Sequence, residues 1–167
     1  MEKNYVVYHL HSDLSNGVTN IDSVTKYNEY IDYAKSLGMK AVAFSEHGSV
    51  LEWVHKKNAI EKAGMKYIHA EEFYVTKELY QYPDDTELCE SLLGTDPEEA
   101  QNKIYEFLEE NKFQVRDNYH CVLIAKNYEG VKELNALSSK AFVRDGHFYY
   151  QPRISFEELI NLSLIHI

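Results

Sequence analysis

The chain has 167 residues, 44% of them apolar and only 3 prolines, which suits one domain with a sizeable core and excludes a disordered segment. Its formal net charge of −10 excludes a free-standing basic nucleic-acid binder, so any contact with DNA needs positive charge from metal ions or another domain. Cys89 and Cys121 fit no CxxC pattern and no stretch has signal-peptide or transmembrane length, so a reduced, soluble, cytoplasmic protein with no membrane partner is expected.

Tyr5 to Leu10 predicts a first strand. Thr19-Asn20-Ile21-Asp22-Ser23 then offers N-cap residues for a helix with apolar positions Val24, Tyr27, Ile31, Ala34 and Leu37 and a stop at Gly38. Lys40 to Phe44 reads as a short strand ending at Ser45-Glu46-His47-Gly48. Ser49 is expected to cap a second helix through Leu51, Val54 and Ile60, stopped by Gly64. Met65 to Ala70 opens a third strand that runs on to about Val75. Leu37-Gly38-Met39-Lys40-Ala41-Val42 and Ala63-Gly64-Met65-Lys66-Tyr67-Ile68 echo each other as helix stop followed by strand start. The alternation predicts an α/β fold of βαβ units around a parallel sheet or barrel.

Residues 77–118 differ in character. They carry turn signals at Pro83-Asp84-Asp85 and Thr95-Asp96-Pro97, many acidic residues, and a helix capped by Asp96 that runs through Ile104, Phe107 and Leu108. A surface insertion within a single domain over 1–167 is expected. The pattern resumes with a strand at His120 to Ala125, a helix from Tyr128 to Ala141 and a turn at Asp145-Gly146. Ser155 caps a last helix, with Glu158 completing a capping box.

In a parallel α/β barrel, functional side chains collect at the C-terminal ends of strands. His9 and His11 end the first predicted strand, Glu46 and His47 follow the second, and Glu71 and Glu72 lie toward the end of the third. His120 opens the fourth and departs from that rule. Residues i and i+2 of a strand share a face, so both imidazoles of the His-x-His pair reach one ion. Nitrogen ligands mixed with carboxylates suit Zn, Mn or Fe better than Ca or Mg. A carboxylate between two ions bridges them, a solution used for phosphate-ester hydrolysis. Each residue alone has a plainer reading: His47 before Gly48 fits a helix entry, and His120 fits a satisfied core histidine. Their recurrence at successive strand ends favours metal. His55, beside Lys56 and Lys57, reads as solvent-exposed, His69 as structural, His147 as a loop residue without an evident partner, and His166 as part of the tail. The run of glutamates at 98, 99, 106, 109 and 110 reads as a solvated helix face.

The stretches HLHSDLSNG, AKSLGMKAVAFSEHGSV, EKAGMKYIHAEEFYVT and NYHCVLIAKNYEGVKELNALSSKAF, in this order, resemble the PHP (polymerase and histidinol phosphatase) domain at the N-terminus of bacterial and phage DNA polymerase III alpha subunits. The last stretch and FYYQPRIS look like that polymerase branch rather than a generic PHP phosphatase. The resemblance implies a distorted (β/α)7 barrel, C-terminally incomplete here, with up to three metal ions. It carries the metal ligands onto His9, His11, His47, Glu72 and His120. A shift of one residue in the third motif chooses Glu71 instead of Glu72.

Three departures stand out. The family's Asp before the second-motif histidine is Glu46 here, a candidate partner holding His47 from behind. The acidic ligand after the first motif falls on Asp13 or Asp22, or is absent. The family's later ligands, an Asp-x-His motif among them, would lie beyond Ile167, so a truncated reading frame is expected. The polymerase core with its Mg would lie further on. The expected function is that of a PHP domain of a DNA-directed DNA polymerase in replication, meeting DNA and other replication subunits through the full-length protein. Weak direct DNA binding is expected of the stretch itself, and metal-dependent phosphoesterase or 3′–5′ exonuclease activity that is weak or absent rather than robust. Two alternatives remain open at this point: a stand-alone phosphatase for a small phosphomonoester, and a non-catalytic scaffold with a tyrosine-rich contact surface.

Overall fold

A computed structural model describes residues 5–18 and 22–163, with the backbone alone for 165–166. In chain order the elements are a 3-10 helix (Asp13–Gly17), α1 (Tyr27–Ser36), β1 (Ala41–Phe44), α2 (Trp53–Lys62) and β2 (Lys66–Thr76). Then follow β3 (Tyr80–Gln81), α3 (Thr86–Ser91), α4 (Pro97–Asn111), β4 (Phe113–Gln114), β5 (Tyr119–Ala125), α5 (Tyr128–Ala141), β6 (Arg153–Ser155), α6 (Phe156–Ile160) and β7 (Ile165–His166).

The sequence echo is a structural one. Met39 N–H donates to Ala34 O at 3.0 Å and Met65 N–H to Ile60 O at 3.1 Å, around Gly38 at φ 73° and Gly64 at φ 83°. Both helices therefore end in the same left-handed turn, which glycine adopts without steric penalty. The strands released by these turns, β1 and β2, pair in parallel with Ala41 opposite Lys66 and Phe44 opposite His69.

Several expectations are corrected. Tyr5 to Leu10 lies beside β1 but forms only a bridge between Val7 and Val42, because Leu10 N–H turns to the Ser45 hydroxyl instead of a strand carbonyl. The candidate caps Thr19, Asn20 and Ile21 lie outside the described residues. The helix after them starts at Tyr27, where the Glu29 carboxylate accepts from Lys26 N–H, and Val24 is left 83% exposed. Ser49 does not cap α2, which begins after Glu52 at φ 55°. The inward face of α2 carries Lys56 and Ile60, one turn apart, while Leu51 and Val54 point outward.

The sheet is mixed, not parallel. β5 runs antiparallel to β2, with Glu72 opposite Val122 and Tyr74 opposite His120, and β7 runs antiparallel to β5. β6 lies parallel along the other edge of β2, with Tyr74 opposite Arg153. Among the described residues β1, β2, β5 and β7 form an open path in that order, with β6 paired to β2 off that path. Two apolar clusters flank it. Ile31, Ala34, Val42, Phe44, Ile60 and Met65 fill the space between α1, α2 and β1. Phe73, Val75, Leu123, Leu134, Leu137 and Ile154 pack β2, β5 and β6 against α5 and α6. Each fully buried leucine there contributes about 1.5–3 kcal/mol.

Between β2 and β5, α3 and α4 bury none of their residues, and β3 and β4 form their own antiparallel pair. As its sequence predicts, α4 is capped by the Asp96 carboxylate, which accepts from Glu98 and Glu99 N–H. Arg153, fully buried, ties this segment to the main sheet by donating to the carbonyls of Val115, Gly146 and His147. No helix among the described residues is long and apolar enough to cross a membrane.

Candidate metal centre

Alternation along β2 decides which side chains meet. Glu72 and Tyr74 share one face, while Glu71, Phe73 and Val75 lie on the face covered by α5. The β1–β2 ladder extends beyond Phe44 because Glu72 N–H donates to Glu46 O at 3.1 Å and Gly48 N–H to Glu72 O at 2.8 Å. This clamps His47 beside Glu72. Gly48 has φ 55°, and a Cβ there would sit 2.7 Å from Pro152 and 3.2 Å from the Tyr74 ring, so no side chain fits without displacing the clamp. The N-terminal segment is tied alongside by Ala43 N–H to Val7 O and Ser45 N–H to Leu10 O, which delivers His9 and His11 to the same end.

Four histidines converge on Glu72. Its Oε2 lies 2.8 Å from His9 Nε2 and 3.0 Å from His11 Nε2, and its Oε1 lies 2.6 Å from His120 Nδ1. His47 Nδ1 is 3.7 Å from Oε2, and His47 Nε2 is 3.4 Å from Asp22 Oδ2. The departure of His120 from the strand-end rule has a simple cause. Because β5 is antiparallel, its first residues lie level with the C-terminal end of β2, Tyr119 opposite Val75 and His120 opposite Tyr74.

Burial would raise the Glu72 carboxyl, but hydrogen bonds from His11, His9 and His120 outweigh it and bring it down to about 2. Burial would lower His11, yet contact with the Glu72 carboxylate raises it above the usual imidazole value. His47 goes the other way, with burial prevailing over the pull of Glu72.

A family profile described as PHP domain matches residues 8–166. The chain belongs to the PHP domain family. It is 30% identical over 160 residues to the DNA polymerase III subunit alpha of Aquifex aeolicus (strain VF5), covering 95% of this chain and 11% of that protein. The same-named protein of Treponema pallidum (strain Nichols) is 28% identical over 155 residues, 93% of this chain and 10% of the relative. That of Borreliella burgdorferi is 27% identical over 159 residues, 95% of this chain and 11% of the relative. The chain thus spans about a tenth of the length of the curated relatives it matches.

In this PHP domain the donor set fits divalent ions. Three groups place their ligand atoms within 4.8 Å of one another: His9, His11 and Glu72; His11, Asp22 and His47; and His47, Glu72 and His120. Nitrogens bound to zinc at ~2.0–2.1 Å stand roughly 3.3 Å apart across a tetrahedral edge, close to the 2.9 Å between His9 Nε2 and His11 Nε2.

Of the other candidates, Asp22 reaches the centre and Asp13 does not. Glu71 points away, buried against the Ser138 hydroxyl, where desolvation holds its carboxyl well above the usual range. Glu46 is likewise buried but does not hold His47 through its side chain. It accepts from Ser12 N–H and Oγ, from Ser15 Oγ at 2.6 Å and from Lys56 Nζ at 2.7 Å. Since the Ser15 hydroxyl gives its proton to Glu46, its oxygen accepts from His47 N–H and from His11 Nδ1. This fixes a proton on His11 Nδ1, so Nε2, which faces Glu72, is the nitrogen an ion would take.

Sequence reasoning missed Ser12, Ser15 and Lys56. The signal for Lys56 was its i, i+4 spacing to Ile60, masked by its charge. It also missed Asn16, whose Oδ1 accepts from Asp22 N–H at 2.7 Å and so positions that carboxylate. Outside the centre, His69 is satisfied by Tyr67 and Asn135, and His147 does have a partner, Glu158, at 2.8 Å. The His166 side chain lies outside the described residues.

Proposed function

We propose that this PHP domain binds divalent ions through His9, His11, His47, Glu72 and His120, with Asp22 as a further ligand. On this reading it hydrolyses phosphoesters, releasing the 3′-terminal nucleotide of DNA. The observation that carries the reading is the division of Glu72, whose Oε2 faces the His9–His11 pair while its Oε1 faces His120. A carboxylate shared in this way suits a bridge between two ions of the Zn, Mn or Fe class.

Bound ions would supply Lewis acidity, lowering the pKa of water toward neutrality and offsetting negative charge on the phosphoryl group. The chain's own contribution is orientation. Ser15 fixes the His11 tautomer, the Gly48 clamp holds His47, and Tyr74, its hydroxyl 3.3 Å from His47 Nδ1 and raised by burial to about 12, remains a neutral phenol.

The similarity to DNA polymerase III alpha subunits supports placement in a replicative polymerase of the bacterial or phage cytoplasm. DNA extension and contacts with other replication subunits would then belong to a longer protein. Closure of the sheet into a distorted seven-stranded barrel, with 77–118 as an insertion, is part of the same proposal. Incubation with a 3′-labelled single strand tests it. Release of the terminal nucleotide with Mn or Zn is expected, abolished by chelation and by His9→Ala. Equal release by the stripped protein or by His9→Ala contradicts it, as does turnover of a small phosphomonoester with none on DNA.

A further inference from the structure

Tyr150 stands at the tip of a tight turn in which Tyr149 N–H donates to Gln151 O at 3.1 Å. Its φ is 61°, a left-handed conformation that bulky L-residues rarely adopt. Its side chain is nonetheless 74% exposed, so the fold recovers little packing in return. Glycine or asparagine would suit the backbone better. The ring meets Tyr149 at 4.6 Å between centroids, and the Arg116 guanidinium lies 5.7 Å from its centre.

The turn is tied to the elements that carry the metal centre. Asn118 precedes β5 on one edge of β2 and Gln151 precedes β6 on the other, yet Asn118 Nδ2 donates to Gln151 Oε1 at 3.2 Å. That contact spans β2, and Arg153 makes the same crossing to Val115. Next to the turn, Pro152 packs against Gly48, the neighbour of His47. Two residues of chain span no more than about 7 Å, so the Tyr150 backbone lies within that reach of Pro152, which packs against the neighbour of His47.

A strand of DNA brought to those ions finds no general basic surface on a chain of net charge −10. Affinity beyond the phosphate must come from elsewhere. A planar aromatic ring with a guanidinium against it is the standard platform for an unpaired base.

We infer that Tyr150, with Arg116, is a stacking platform for the unpaired terminal base of single-stranded DNA whose phosphates lie at the Glu72 centre. The inference rests on the phosphoester reading and names the part of the substrate that reading leaves out.

The test is binding of the full chain, in Mn, to a short phosphorothioate oligothymidylate ending in 3′ 2-aminopurine. Wild type and Tyr150→Phe are expected to quench the 2-aminopurine. Tyr150→Asn tolerates the left-handed backbone and should keep the melting temperature. It should nevertheless lose the quench and bind about 10-fold more weakly, on the order of one lost base stack. Arg116→Gln should weaken binding in the same direction. No quench by wild type, or equal quench and affinity in Tyr150→Asn, overturns the platform. A separate arm follows hydrolysis of bis-p-nitrophenyl phosphate by wild type and His9→Ala. Hydrolysis that His9 supports, without quench, sinks the platform alone. Quench without hydrolysis sinks the phosphoester reading and leaves the platform standing.

Discussion

Glu71 and Glu72 are neighbours on β2 with opposite surroundings. Glu72 is held ionised by histidines, whereas Glu71 lies in the core with Ser138 as its hydrogen-bond partner and its other oxygen unpaired. A buried carboxyl with a raised pKa stabilises the fold most below its unfolded value of 4.5 and loses that contribution as pH rises through the folded one. Glu71→Gln should therefore raise the melting temperature at pH 8 more than at pH 5. An equal shift at both pH values would contradict the assignment. Ser15→Ala should lower affinity for Mn or Zn about 10-fold with the fold intact, because His11 Nδ1 loses its acceptor; calorimetric titration checks it. Lys56→Met leaves the buried Glu46 carboxylate without its cation and should cost about 3–5 kcal/mol in urea unfolding. A loss below about 1 kcal/mol would show that the serines suffice. That His9, His11 and His47 come together was legible because the His-x-His spacing and the end of β1 are local features, although Tyr5 to Leu10 makes a bridge and not the expected strand. Glu72 over Glu71 rested on the resemblance alone, because alternation separates the two faces without saying which one meets the histidines.

At the scale of elements, the packed helices differ sharply from α4. Helix α5 buries Leu134, Leu137 and Ala141, and α4 buries nothing. Amides of α4 should exchange with solvent through local opening, and those of β2 only near global unfolding. Asp96→Ala should destabilise α4 by about 1 kcal/mol and leave β2 protection unchanged. A matching loss in β2 would show that α4 is coupled to the core. The span of α5 and the caps of α4 and α6 were readable because their signals are side chains at fixed offsets. The direction of β5 was not, because strand polarity leaves no trace in a strand's own residues. The long segment from 77 to 118 lets the chain return from either end of the sheet. That reversal brings His120 to the centre.

For the whole molecule, the buried neutral His69 links stability to pH. Burial lowers it from 6.5 to about 4, and Tyr67 and Asn135 satisfy both ring nitrogens of the neutral form. A depressed histidine contributes fully above its unfolded value and loses that contribution as pH falls toward the folded one. The window thus runs from about 6.5 down to about 4 and is worth about 3 kcal/mol. Urea unfolding of wild type and His69→Gln across that range should show a steeper decline in the wild type, and parallel declines would contradict it. The most direct test of the central claim, that Glu72 joins two cation subsites, is calorimetric titration of the chelator-treated chain with Mn or Zn. At least two ions per chain are predicted, in line with the groups that share Glu72, with binding collapsing in Glu72→Gln. Unchanged stoichiometry and affinity in Glu72→Gln, or no binding to the wild type, would contradict it.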